Sequence, residues 1–151
     1  MPHLGPIDGF VQPAPAVNHA ALAARIEHQG VLHDSGEREF EFLIAQRLLT
    51  WAPTPGVLGP QLAQLTAVAQ LPHVQLAVLP DSHAGALAWH NFVVRHPADG
   101  GPAYVAAELI DGAHDVHDSD SVAVYLRVWS RMWDAAVRGD EALALIRAVA
   151  D

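Results

Sequence analysis

Val74-Gln75-Leu76-Ala77-Val78-Leu79-Pro80 is the stretch on which the fold turns. It is a short apolar run with β-branched residues, closed by a proline, and it reads as a strand. Ahead of it, Leu58, Leu62, Leu65 and Val68 or Ala69 recur at helical spacing. Pro60 suits the first turn of that helix and Pro72 terminates it. Further upstream, Phe40-Glu41-Phe42-Leu43-Ile44 begins in alternation and becomes apolar, which predicts a strand from Glu39 or Phe40 to Ile44. Ala45-Gln46-Arg47-Leu48-Leu49 continues it as strand end or a short helical turn, and Pro53, Pro55 and Gly56 break the chain. Strand, helix, strand is an α/β signature.

Working outward, Asn91-Phe92-Val93-Val94-Arg95 reads as a strand ended by Pro97 and the turn Asp99-Gly100-Gly101-Pro102. Tyr104-Val105-Ala106-Ala107-Glu108-Leu109 pairs back with it as a hairpin. Gly112 opens an acidic, histidine-bearing loop that runs to Asp120. Val122, Leu126, Trp129, Trp133 and Ala136 then step by four, three, four and three, which predicts one amphipathic helix face. Gly139 reads as its C′ residue and Asp140 as the next N-cap, with Leu143, Ile146 and Val149 on the last helix. At the other end, residues 1–17 hold four prolines and read as a loop or extended arm. A helix is expected from about His19 to Val31, capped by Asn18, then a turn at Asp34-Ser35-Gly36. The expectation is a single α/β domain over 18–151. It has a small mixed sheet of three to five strands flanked by helices, two of them C-terminal.

Composition narrows the function classes. The 151 residues suit one domain. Charged residues are 17%, below the usual share of about 25%, which argues against a solvating tail. No apolar run approaches the roughly 20 residues of a membrane span. No basic patch precedes an apolar stretch at the N-terminus, so no signal peptide is read and the expected address is the cytoplasm. Cysteine is absent, which excludes disulfides, thiolate nucleophiles and thiolate zinc sites. Seventeen acids against eight bases give a net charge of −9. Nucleic-acid binding needs clustered positive charge, so no direct nucleic-acid partner is expected. All eight bases are arginine and lysine is missing, which fits a GC-rich genome.

Several collinear stretches resemble a known family. They are Arg25-Ile26-Glu27-His28-Gln29, Leu43-Ile44-Ala45-Gln46-Arg47-Leu48-Leu49 and Gln61-Leu62-Ala63-Gln64-Leu65. Leu71-Pro72-His73 with the strand to Pro80, Ala84-Gly85, Asn91 to Val94, Tyr104 to Glu108 and Ala142 to Ile146 continue the series. From about Leu22 onward the chain resembles the C-terminal domain of actinobacterial antitoxin-like helix–turn–helix transcriptional regulators, a domain of unknown molecular function. His28 stands where that family usually has a second basic residue, and Gln46 where it usually has an acid. The family usually carries an N-terminal helix–turn–helix, whereas this chain has its proline-rich arm there. The resemblance therefore implies a stand-alone sensor or partner domain, and it implies no metal.

The residues that can carry chemistry form two groups. His83, Trp89 and His90 lie on a connection between strands, with Trp89 as a platform and either histidine as an acid/base. Trp51 is placed to wall the same pocket. Glu108 ends an apolar strand, either as a ligand contact or paired with Arg47 or Arg95. These five are the candidate ligand-binding residues. The second group is Asp111 to Asp120, where His114 and His117 would face one way on a helical turn and could ligate a metal. The simpler assignment is a solvated acidic loop ending in an Asp120 cap, and no cofactor or metal is expected. Ser82-His83 is only a neighbouring pair, whose side chains would point apart on a strand. No nucleophile elbow, zinc-protease, phosphate-loop or dinucleotide motif is present. Trp129 and Trp133 read as core.

These observations lead first to a non-enzymatic regulatory module. It would bind a small molecule, a partner protein or both, in transcriptional control or an antitoxin-like pair, with a DNA-binding regulator or small protein as partner. The alternative is a small enzyme of specialised metabolism using histidine acid/base or metal chemistry in the same pocket. A homo-oligomeric scaffold, in the simplest case a homodimer, is the third reading.

Overall fold

The computed structural model describes residues 30–33, 38–52, 54–109 and 111–150. The expected arm at 1–17, almost all of the 19–31 helix and the 34–36 turn lie outside the described residues. The chain divides into two compact units, Met1–Arg38 and Glu39–Asp151, and the second carries the elements that follow.

The elements are strand β1 (Phe40–Ala45), a 3₁₀ turn (Gln46–Leu49), helix α1 (Leu58–Val68), strand β2 (Val74–Leu79) and a second 3₁₀ segment (Asp81–Ala86). Strands β3 (Phe92–Arg95), β4 (Tyr104–Leu109) and β5 (Gly112–Val116) follow, then helix α2 (Ser119–Ala135), strand β6 (Val137–Arg138) and helix α3 (Gly139–Ala150). The fold is mixed α/β, with two sheets of three strands and two C-terminal helices.

The first sheet is mixed, in the order β1-β2-β6. β1 and β2 run parallel, in register from Phe40↔Val74 to Ala45↔Leu79. Parallel neighbours need a crossover, and α1 supplies it. β2 is central and apolar on both faces because both are covered. Leu76 and Val78 join Leu49, Leu62, Ala142 and Ile146, against α1 and α3. Ala77 and Leu79 point the other way and join Ala136, with Leu43, Leu87 and Trp133 packed around them.

The second sheet is an antiparallel meander, β3-β4-β5. Val105 and Ala107 are its buried residues. β5 replaces the acidic loop expected at this place. It pairs with β4 from Leu109↔Gly112 to Val105↔Val116, and Gly112 takes the turn at φ 144°, where side-chain residues rarely go. The driving force is backbone pairing: β4 would otherwise leave its N–H and C=O groups unmatched along one edge.

Helix α2 carries the tryptophans but is turned differently from the sequence expectation. Val122, Met132 and Ala136 are buried, Trp129 and Trp133 are half-buried, and Leu126 is 38% exposed. Its N-cap is Asp118, not Asp120: the Asp118 carboxylate accepts from Ser121 N–H at 2.9 Å. Gly139 has the expected positive φ, 58°, yet it is not the C′ residue of α2. The helix stops at Ala135, Val137–Arg138 add to β2 as a third strand, and Gly139 opens α3 with Asp140 in its first turn. Among the described residues no helix is long and apolar enough to cross a membrane.

Candidate functional site

The site grows from the segment between the second 3₁₀ turn and β3. Pro80 ends β2 and sends the chain over the surface to α2. Three bonds then tie the segment to one side of that helix. Arg131 Nη2 donates to Ala86 O at 3.4 Å, Ala88 N–H points at Met132 Sδ at 3.3 Å, and His90 Nε2 meets Tyr125 Oη at 3.2 Å. Between these anchors Trp89 is turned fully outward, at 102% exposure.

The other nitrogen decides the histidine's protonation pattern. His90 Nδ1 lies 3.0 Å from Asn91 O, and a carbonyl only accepts. Nδ1 therefore carries the proton, and in the neutral ring Nε2 accepts from the Tyr125 hydroxyl. Around this pair the aromatic rings meet edge to face: His90 with Tyr125 at 5.7 Å, Phe92 with Tyr125 at 5.0 Å and Phe92 with Trp129 at 6.5 Å. Trp129 then stacks on Trp133 at 5.3 Å, whose face takes the Arg138 guanidinium. The aromatic series holds the segment against α2 in one orientation.

What results is an open cleft of about 400 Å³. Ala88, Trp89, His90 and Phe92 line one side; Ser121, Val124, Tyr125, Val128 and Arg131 of α2 line the other. Its walls are mainly apolar and aromatic, with a few polar groups at the edges, the composition of small-molecule sites. A smaller cavity of about 230 Å³ lies between α1, β2 and α3 and includes Arg138. That arginine is already engaged by Trp133 O at 2.9 Å and by the Trp133 ring. The larger cleft is the better candidate because its polar groups still have bonding capacity.

The structure brings together two of the five candidate ligand-binding residues, Trp89 and His90. Trp51 follows the first 3₁₀ turn, exposed, and is not among the cleft's lining residues. His83 is exposed on the second 3₁₀ segment, where the local turn, unlike a strand, lets Ser82 Oγ reach its Nδ1 at 3.1 Å. Glu108 is exposed on β4 and has no ion pair among the described residues. Arg47 instead pairs with Asp81 at 3.5 Å, while Asp81 N–H donates to Gln46 Oε1.

His114 and His117 do not sit on a helical turn: His114 lies in strand β5, His117 follows its last residue, and the two meet different partners. His114 Nε2 donates to Asp111 Oδ1 at 3.0 Å, and His117 stacks on Tyr104 at 5.0 Å. The His114 bond holds the Asp111 carboxyl below the ordinary carboxylate range. Among the described residues no three histidine or carboxylate groups converge as a metal site.

Sequence reasoning missed Ser121, Val124, Tyr125, Val128 and Arg131. The available signal was a second stripe on α2: these residues also recur at spacings of three and four, beside the stripe assigned to the core. An apolar pair, Val124 and Val128, outside the face read as core marked that stripe.

A family profile for a domain of unknown function, DUF5753, matches residues 11–148. The chain belongs to the DUF5753 family. No curated protein and no solved structure matches it. The family match includes every residue of the cleft.

Proposed function

We propose that this DUF5753 domain is a non-enzymatic regulatory module of the cytoplasm. It binds a small molecule in the α2 cleft and transmits occupancy to a DNA-binding regulator or a small partner protein. One observation carries the reading: Trp89 stands fully exposed on the rim of an apolar cleft, on a segment anchored at both sides. An indole buries ~150 Å² or more, so at roughly 25 cal/mol per Å² its exposure forgoes about 4 kcal/mol. A ligand that covers it recovers much of that energy. The charge of −9 supports assigning DNA contact to a partner.

A second reading, a small enzyme, draws on the His90–Tyr125 hydrogen bond in the same cleft, since a histidine hydrogen-bonded to a phenol is an acid/base arrangement. One experiment separates the two. A library of small aromatic compounds is screened by thermal shift, and bound compounds are recovered and weighed by mass spectrometry. Saturable binding that raises the melting temperature by mass action, is lost in Val128→Glu and returns the compound unchanged is the expected result. Turnover of the compound would favour the enzyme. The absence of any stabilising compound would overturn both readings.

A further inference from the structure

We infer that the ligand class of the cleft is an aromatic anion: a flat ring system laid on Trp89, with a carboxylate or sulfonate on the Arg131 guanidinium. The inference rests on the cleft reading and specifies it.

Among the described residues lining the cleft, Arg131 is the only arginine or carboxylate-type charge, in a chain where acids outnumber bases by seventeen to eight. Its hydrogen bond to Ala86 O, the one it makes among the described residues, is long at 3.4 Å. A guanidinium has five N–H donors, so most of its bonding capacity faces elsewhere. No carboxylate lies within ion-pair distance of it among the described residues; Asp134, three residues on, makes no pair. Planar guanidinium also recognises planar carboxylate by two parallel bonds. The same cleft is lined by a fully exposed indole and by Phe92 and Tyr125. The cleft thus offers an aromatic surface and one directed positive group, which together select a ring bearing an anion over a neutral ring or a polar anion alone.

Two fluorescent probes with a shared ring system test this on the full chain: 1-anilinonaphthalene-8-sulfonate and the neutral N-phenyl-1-naphthylamine. Arg131→Gln should weaken the sulfonate probe five- to tenfold and change the neutral probe less than twofold. Arg127→Gln, an arginine of the same helix that does not line the cleft, should change either less than twofold. Arg131→Lys should retain part of the affinity lost in Arg131→Gln. Arg131 is exposed, and a melting temperature within a degree or two of the parent confirms that each variant is folded. Equal loss of both probes in Arg131→Gln, or no loss of either, overturns the anion assignment while leaving the cleft standing if Val128→Glu still abolishes binding. Binding of both probes that ignores Val128→Glu overturns the cleft reading itself, and the ligand class with it.

Discussion

Truncating Ile146 to alanine tests where the core lies. Ile146 is 1% exposed in α3 and packs with Leu49, Leu62, Leu76 and Val78, so it connects α3 to both α1 and β2. The change removes three carbon groups, each worth about 0.8 kcal/mol of transfer energy. Neighbours on a sheet and two helices cannot close fully over the gap. A residual cavity of ~60 Å³ at about 24 cal/mol per Å³ adds a further ~1.4 kcal/mol, for a total near 4 kcal/mol. Leu126→Ala is the matched comparison. The sequence spacing puts Leu126 in the core of α2, whereas the structure leaves it 38% exposed, and alanine is the better helix former. Its cost should stay below about 1 kcal/mol. Urea unfolding followed by far-ultraviolet circular dichroism reads both. With a slope of roughly 2 kcal/mol per molar, Ile146→Ala should lower the midpoint by about 2 M and Leu126→Ala by less than about 0.5 M. Comparable losses for the two variants, or a larger loss for Leu126→Ala, would refute the orientation of α2 and the core assignment together.

Asp118→Ala should lower the melting temperature of the protein, whereas Asp120→Ala should leave it close to the parent, since only Asp118 caps α2. The Ser121 N–H holds the Asp118 carboxyl below the ordinary carboxylate range. Its contribution to stability is therefore full above the unfolded value and lost as pH falls through the folded one; an NMR carboxyl titration that finds Asp118 at or above the ordinary value would contradict the cap. Gly139→Ala should cost about 1–2 kcal/mol from backbone strain at φ 58°, because no atom lies near enough to clash with the new Cβ, and chemical denaturation measures it. The purified chain should fail to shift duplex DNA in a gel at moderate salt, given its charge of −9; a tight shift by the protein alone would refute the assignment of DNA contact to a partner.

The candidate site was legible only in part. Trp89 and His90 were readable as an aromatic and an imidazole on a strand connection, and the structure places both in the cleft. Trp51, His83 and Glu108 lie on other parts of the surface, because a shared loop position or strand end carries no information on distance in space. Arg131 was readable only as one of eight arginines. Its place in the cleft depends on the 86–92 segment crossing α2 beside it, fixed by Met132 and Tyr125.

The amino-acid sequence by itself determined the elements whose cause is local. Strand β2 follows from an apolar β-branched run cut by Pro80, helix α1 from leucines at helical spacing between prolines, and the β3–β4 hairpin from its glycine turn. Those signals act over a few residues and need no partner. Tertiary structure alone decided the rest. Gly112-Ala113-His114-Asp115-Val116 has no strand pattern and becomes β5 because β4 has an open edge to pair. On α2, the stripe 122-126-129-133-136 and the stripe 122-125-129-132-136 satisfy the 3.6-residue period equally well. Burial of Met132 and exposure of Leu126 show that the second one faces inward. Periodicity defines how many faces a helix can offer; which one is buried depends on the sheet and the crossing segment that arrive from elsewhere in the chain.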